Sequence, residues 1–384
     1  MDLINAAYNK HRKCLLGIAA VGLAAFVIGV FVLPERAWAS LLVGNYYFLM
    51  IALYGVIFIA LNYVLSSGWA VLFRRIPEAM AAYLPVGAVL MLVLFFGRSA
   101  IYPGLEKLHP GPHVGFKTAY LNPGFILART VVTCAIWILF AYILRSHSTR
   151  QDADGDVRHT RKNQIRSAVF LMVCGVTFIF SSIDWVMSLE PNWYSTMFPV
   201  YCFAGLLLGG TAAMALFLLY MRARNIIPGI TEHHVYELSR IICATSTFWA
   251  YIWFSQFMLI YYTNIGEETA YFALRLTGGW TILFLLNFAL NWIVPLVILI
   301  PASSRRSPKW LLRAAVIVLV GRWLDVYLLV MPALKMPVRF GFVEILTFAG
   351  MMALFVFAFL RSFRVADPVP ANDPYLIESA HFGE

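Results

Sequence analysis

Runs of roughly 20 apolar residues, parted by short polar breaks, recur along the chain from Cys14 to Phe363. That repetition decides most of what the chain can become. About 20 residues of helix cross the hydrocarbon core of a bilayer, and in that medium helices satisfy every backbone group without help from water. Ten such runs occur, at 14–33, 41–65, 79–97, 124–144, 165–187, 197–221, 238–263, 278–300, 310–331 and 339–363. Hydrophobic residues make up 61% of the 384 and charged residues 12%, where a soluble domain carries about 25% charged. The expectation is an all-α polytopic membrane protein, a single integral domain over 1–384.

The first run imitates a signal peptide, with Lys10–Lys13 before it and Ala37-Trp38-Ala39 after it. It is longer than the roughly 7–15 residues of a signal core, so a retained first helix is predicted. Ten crossings put both termini on one side. Lys and Arg crowd the N-terminal tail, the even-numbered loops and the segment 364–384, whereas the odd-numbered loops hold Arg36, Arg98, Lys107, Lys117, Arg275, Lys335 and Arg339. Positive residues collect on the cytoplasmic side, so both termini and a 364–384 tail are expected there. The net charge of +10 then belongs to topology and gives no reason to expect nucleic acid. After the first helix, 41–187 and 197–331 each supply four crossings. This hints at two four-helix bundles, helices 2–5 and 6–9, flanked by helices 1 and 10. The polar stretch 145–164 reads as a solvated linker between crossings, and 98–123, with His109 and His113, as a loop packed over the outer helix ends.

Ionisable residues inside spans cost roughly 2.5–3.5 kcal/mol on insertion scales and mark pathways or buried sites by default. Asp184 lies on one helical stripe with Thr177, Ser181 and Ser188, and Glu190-Pro191 follows at the turn. Asp184 suits either a helix end at the water interface or a site facing the bundle. Arg129 suits either snorkelling or service as counter-charge to an acid on another helix. Arg322 and Asp325 are three apart and share a face. They form either a self-neutralising packing lock or, with Tyr327 nearby, a proton- or quinol-binding element. Gln256, Asn287 and Asn291 read as interhelical glue or as a polar seam, and Gly205 with Gly209 as a close-packing GxxxG.

All eight histidines (His11, His109, His113, His147, His159, His233, His234, His381) fall in loops or tails. A membrane haem takes axial ligands from the spans, so none is expected on this chain. The five cysteines lie in apolar runs without CxxC spacing, which suits packing rather than metal or disulfide. No nucleotide loop, metal cluster or catalytic triad is present, so no catalytic or metal-binding residue is assigned.

Asp184-Trp185, Ser188-Leu189-Glu190-Pro191, Trp193-Tyr194-Ser195-Thr196 and Phe198 together resemble the membrane subunits of bacterial alternative complex III. These group with the membrane anchors of polysulfide- and nitrite-reductase type. Gly321-Arg322-Trp323 with Asp325 and Tyr327, and Asn372-Asp373-Pro374-Tyr375-Leu376 with Glu378-Ser379, extend the likeness nearly end to end. Of the two sister subunits, C and F, length and acidic tail favour F. The resemblance implies ten helices in two bundles within the bacterial inner membrane. It also implies a place in a quinol:cytochrome c oxidoreductase complex. Its haem c and iron–sulfur subunits and a C-type membrane subunit are the partners, and quinone or menaquinone is the small molecule handled. The C-type subunit binds quinol through an aspartate and a histidine. Asp184 matches the acid, but no span carries a histidine, and only His109 or His113 could substitute. The expected role is therefore proton conduction and scaffolding, with Asp184, Glu190, Arg129, Arg322, Asp325 and Tyr327 as candidates for a proton path or quinone site. A free-standing secondary transporter is the alternative. It would show helices broken near mid-membrane, for which Pro295 is the main sequence candidate.

Overall fold

The computed structural model describes residues 2–106 and 115–382. Among them all regular structure is helical. Eight helices are long and apolar enough to cross a membrane. In chain order the main elements are α1 (Asp2–Val32), α2 (Pro34–Val64), α3 (Val71–Ile101, a succession of short helical pieces), α4 (Pro123–Asp154) and α5 (Arg158–Trp185). They continue with α6 (Phe198–Ala223), α7 (Glu232–Thr263), α8 (Gly266–Arg275), α9 (Trp280–Leu299), α10 (Pro308–Val330), α11 (Phe342–Phe363) and α12 (Leu376–Ala380). α7 and α10, at 32 and 23 residues, are long enough to cross but are more polar. α7 alternates aromatics with Ser, Thr and Gln, and α10 carries Arg313, Arg322 and Asp325.

α2 is the pillar. It is apolar on every side, as a fully enclosed helix must be, and is buried along nearly its whole length. It packs against α1, α3, α5, α6, α10 and α11. α1 and α2 are separated by Leu33 alone, because Pro34 has no N–H to give and disfavours helical geometry in the residue before it. Around α2, the packed pairs α2–α3, α3–α4, α4–α5 and α5–α2 close one ring. α6–α7, α7–α9, α9–α10 and α10–α6 close another, and α1 lies along α11. Arg36 bridges the α2 start to Glu344 at the α11 start at 2.5 Å.

Two expectations need correction: the linker at 145–164, and the placing of every histidine in a loop or tail, since His11, His147, His159, His233 and His234 lie within α1, α4, α5 and α7. The stretch 145–164 is not a linker. α4 runs on to Asp154, Gly155 stops it in a left-handed conformation (φ +68°), and α5 begins at Arg158. The hairpin is held by a buried polar stripe: Thr160 donates to Gln151 (2.9 Å) and Asn163 to the Leu144 carbonyl (3.0 Å). The segment after α11, expected as a tail, is docked. Asp373 pairs with buried Arg74 at 2.5 Å, and the Asn372 carbonyl accepts from Gln151 (3.0 Å). Ser379 accepts from the Leu72 N–H (3.0 Å) and donates to the Trp69 carbonyl (2.8 Å). Phe382 rests against Trp69 and His234, so the segment touches α3, the α4–α5 hairpin and the start of α7. His109 and His113 lie outside the described residues. Nearby Gly104 approaches Pro191, and the Tyr102 hydroxyl donates to the Trp185 carbonyl at 3.0 Å.

Candidate functional site

Two buried carboxylate–arginine centres lie toward the end of the molecule that carries Glu190. The first joins α5 to α4. Arg129 grips Asp184 in a two-pronged pair, Nε to Oδ2 at 2.7 Å and Nη2 to Oδ1 at 2.8 Å. Asp184 is 2% exposed and faces the bundle, one residue before α5 ends at Trp185. The guanidinium also donates to the Tyr120 carbonyl (2.9 Å) and lies over the rings of Tyr120 (3.9 Å) and Phe125 (4.3 Å). The stripe expected around Asp184 is buried throughout. Thr177 accepts from the Trp137 indole (3.0 Å), and Ser188 donates back to the Asp184 carbonyl (2.6 Å). Next to this centre a cavity of about 120 Å³ is walled by Trp185, Tyr102, Ile126 and Arg98.

The second centre is built on α10. Arg322 Nη1 lies 2.8 Å from Asp325 Oδ2, as the i, i+3 spacing predicts. The other carboxylate oxygen accepts from the Tyr201 hydroxyl of α6 and from Asn287 of α9 (2.7 Å). Asn287 in turn accepts from Asn291 (2.7 Å), and the Asn291 carbonyl accepts from Ser246 of α7. The amides therefore form a seam reaching Asp325. They sit where α9 widens into a π-helical turn, Ala289–Ile293, just before Pro295. Such turns are rare and gather at functional sites.

Room for Arg322 comes from the GxxxG of α6. A Cβ on Gly205 would lie 2.0 Å from Arg322 Nη2, and one on Gly209 would be 3.4 Å from its Cγ. The motif therefore receives a guanidinium rather than a second helix backbone. Arg322 also lies 5.7 Å from the Trp249 ring.

Glu190 does not join Asp184. It pairs at 2.7 Å with Arg275, which the loop count had treated as an ordinary topogenic charge. Arg275 is 2% exposed. It also donates to the carbonyls of Tyr271 (2.7 Å), Leu328 (3.0 Å) and Leu329 (3.2 Å), and lies 3.5 Å over the Tyr271 ring. A cavity of about 20 Å³ joins this pair to the second centre, with Asp325, Tyr201, Asn287, Gln256 and Arg275 in its wall. That volume holds about one water molecule, and Gln256 Nε2 in the wall makes no hydrogen bond to protein. A second cavity of about 20 Å³ lies on the Arg322 side, between Tyr46, Cys202 and Gly205.

Tyr327, expected near Asp325, turns away. Its hydroxyl donates to the Arg339 carbonyl (2.9 Å), and its ring packs on Trp323 and Phe340. Of the six candidates, then, Arg129 and Asp184 form one centre and Arg322 and Asp325 another. Glu190 reaches the second through Arg275, and Tyr327 stands apart. Sequence reasoning missed Tyr201 and Arg275. For Arg275 a signal existed: it falls four residues after Tyr271 on one face of the short helix α8. No protein-family model matches this sequence, and no curated protein matches it.

Proposed function

We propose that this chain is a non-haem membrane subunit of a quinol:electron-acceptor oxidoreductase of the alternative complex III type, conducting protons and scaffolding its partners. One observation carries the proposal. Asp325 is enclosed, hydrogen-bonded by Tyr201 and Asn287, and borders a water-sized cavity that Arg275, the partner of Glu190, also lines. A carboxylate that exchanges a proton needs donors to hold its charged form and a polar route outward. Glu190, half-buried at the loop, supplies the end of that route. Quinone contact, in this reading, belongs at the 120 Å³ cavity beside Asp184 and Trp185, and the haems and iron–sulfur clusters sit on partner subunits.

The same proposal counts ten crossings in a bacterial inner membrane, with α7 and α10 added to the eight apolar helices and both termini cytoplasmic. Two bundles, α2–α5 and α6, α7, α9 and α10, are supported by the two closed rings of helix contacts. A buried acid on α5 and another on α10 occupy matching places in the two.

A free-standing secondary transporter is favoured by a different observation, the π-helical turn and Pro295 beside the Asp325 seam. Native purification separates the two readings, since a complex brings haem-bearing subunits and a transporter does not. Within the complex, Asp325→Asn and Asp184→Asn keep hydrogen bonding but cannot exchange a proton. Each should leave assembly intact and lower quinol turnover or proton release at least several-fold. If both variants match wild type in complex yield, quinol oxidation and proton release, the carboxylates are structural and proton conduction is lost from the proposal.

A further inference from the structure

A groove of about 740 Å³ opens between α1, α2, α6, α10 and α11, with neither Asp184 nor Asp325 in its wall. From Ile345 to Leu360 along α11 it runs for roughly 22 Å at 1.5 Å per residue, most of the ~30 Å hydrocarbon thickness. Its walls are aromatic and aliphatic, with Phe48, Phe348 and Phe355 stacked at 5.2 and 5.3 Å and Phe217 on Phe359 at 3.8 Å. The hydroxyl of Tyr47, deep in the groove, is spent on the Leu319 carbonyl (3.0 Å). Polar lining gathers at one end, at His11 and Tyr220.

That end is cationic by construction. On α6 the groove stripe continues four residues past Tyr220 to Arg224, whose guanidinium lies 5.9 Å from the Tyr220 ring. On α10 it continues three residues before Val316 to Arg313, and four further to Lys309. Arg224, Arg313 and Lys309 are exposed, and among the described residues no carboxylate is paired with any of them. A long apolar slot ending in unpaired cations complements one kind of molecule.

We infer that the groove between α1, α6, α10 and α11 binds one anionic phospholipid, its acyl chain in the slot and its phosphate against Arg224, Arg313 and Lys309. Zwitterionic lipid fills the same slot but gains nothing from the rim, because its ammonium cancels the phosphate charge. The site does not depend on the redox reading, since none of the buried carboxylates lines it; Tyr47 and Ile51 are the walls it shares with the small cavity beside Arg322.

The test uses the full chain in mild detergent, titrated with palmitoyl-oleoyl phosphatidylglycerol or phosphatidylcholine and read by native mass spectrometry. One phosphatidylglycerol should be retained at concentrations at least tenfold below those needed for phosphatidylcholine. Arg224→Gln with Arg313→Gln should erase that preference while leaving the phosphatidylcholine response unchanged. Val320→Trp, at a half-exposed groove wall, should weaken both lipids, with the thermal unfolding midpoint confirming that the variant is folded. Equal retention of the two lipids by wild type overturns the inference. So does an isoprenoid quinone or a protein partner found occupying the groove after native purification, or a preference that survives removal of both arginines.

Discussion

At the scale of single residues, burial separates the charges that matter from those that only orient the chain. Arg322 is held by a carboxylate on its own helix and by the missing side chain of Gly205 on the next. Gly205→Ala puts a methyl group 2.0 Å from the guanidinium, so Arg322 must move off Asp325. The expected cost is about 1–3 kcal/mol of overpacking, seen as a lowered unfolding midpoint in detergent. Gly17→Ala is the control: a Cβ there meets nothing within 4 Å, and the change should be neutral or slightly stabilising. An equal loss in both variants means that helix backbone effects, not the guanidinium seat, govern the site. The glycine pair was legible in the sequence as a place of close approach, but not what approaches. GxxxG specifies a lack of volume, and an arginine 117 positions later carries no local mark of filling it. For Arg275 the spacing from Tyr271 was legible but its partner was not, since a cation between two spans looks alike whether it faces water or a glutamate.

At the scale of elements, apolar length was legible and polar packing was not. Long helices cover the hydrophobic runs, eight of them long and apolar enough to cross a membrane, whereas 145–164 and 364–382 fold into helix and docked segment. Polar residues at helical spacing, Ser148 and Gln151 with Thr160, Asn163 and Ser167, are buried but read as solvated when only hydrophobicity is followed. The docked segment also packs against a titratable group. His234 caps α7, its Nδ1 accepting from the Thr231 N–H (3.1 Å), and Phe382 lies against its ring. Burial pushes the imidazole down to about 4, below its ordinary value near 6.5. The unfolded or undocked state therefore takes up a proton first. The stabilisation is present above pH 6.5 and is lost as pH falls toward 4. Hydrogen exchange across 371–382 should quicken between pH 6.5 and 4.5, and His234→Gln should flatten that dependence. Exchange in this segment that ignores pH while the rest of the molecule stays folded contradicts the assignment.

At the scale of the whole molecule, Asp184 and Asp325 lie on helices of two different closed rings of contacts, and sidedness decides whether both face the same compartment. Cysteine labelling of intact cells addresses this once Cys14, the exposed one of the five, is replaced by Ser. Tyr194→Cys and Val157→Cys sit at exposed positions (70% and 56%) at opposite ends of α5. Tyr194→Cys should react with an impermeant maleimide and Val157→Cys should be spared, and the reverse pattern would turn the proposed proton route inside out. The docked C-terminal segment adds a dimension of time. Arg74 is buried against a carboxylate 299 positions further along the chain, and a ribosome adding about 5–20 residues per second needs tens of seconds to supply it. Through that interval the early helices hold a cation whose salt-bridge partner does not yet exist, lodged against the Tyr63 ring and hydroxyl. Closure of that end is thus an event of late synthesis, and a nascent chain stopped before Asp373 is a membrane protein with its helices in place and its base still open.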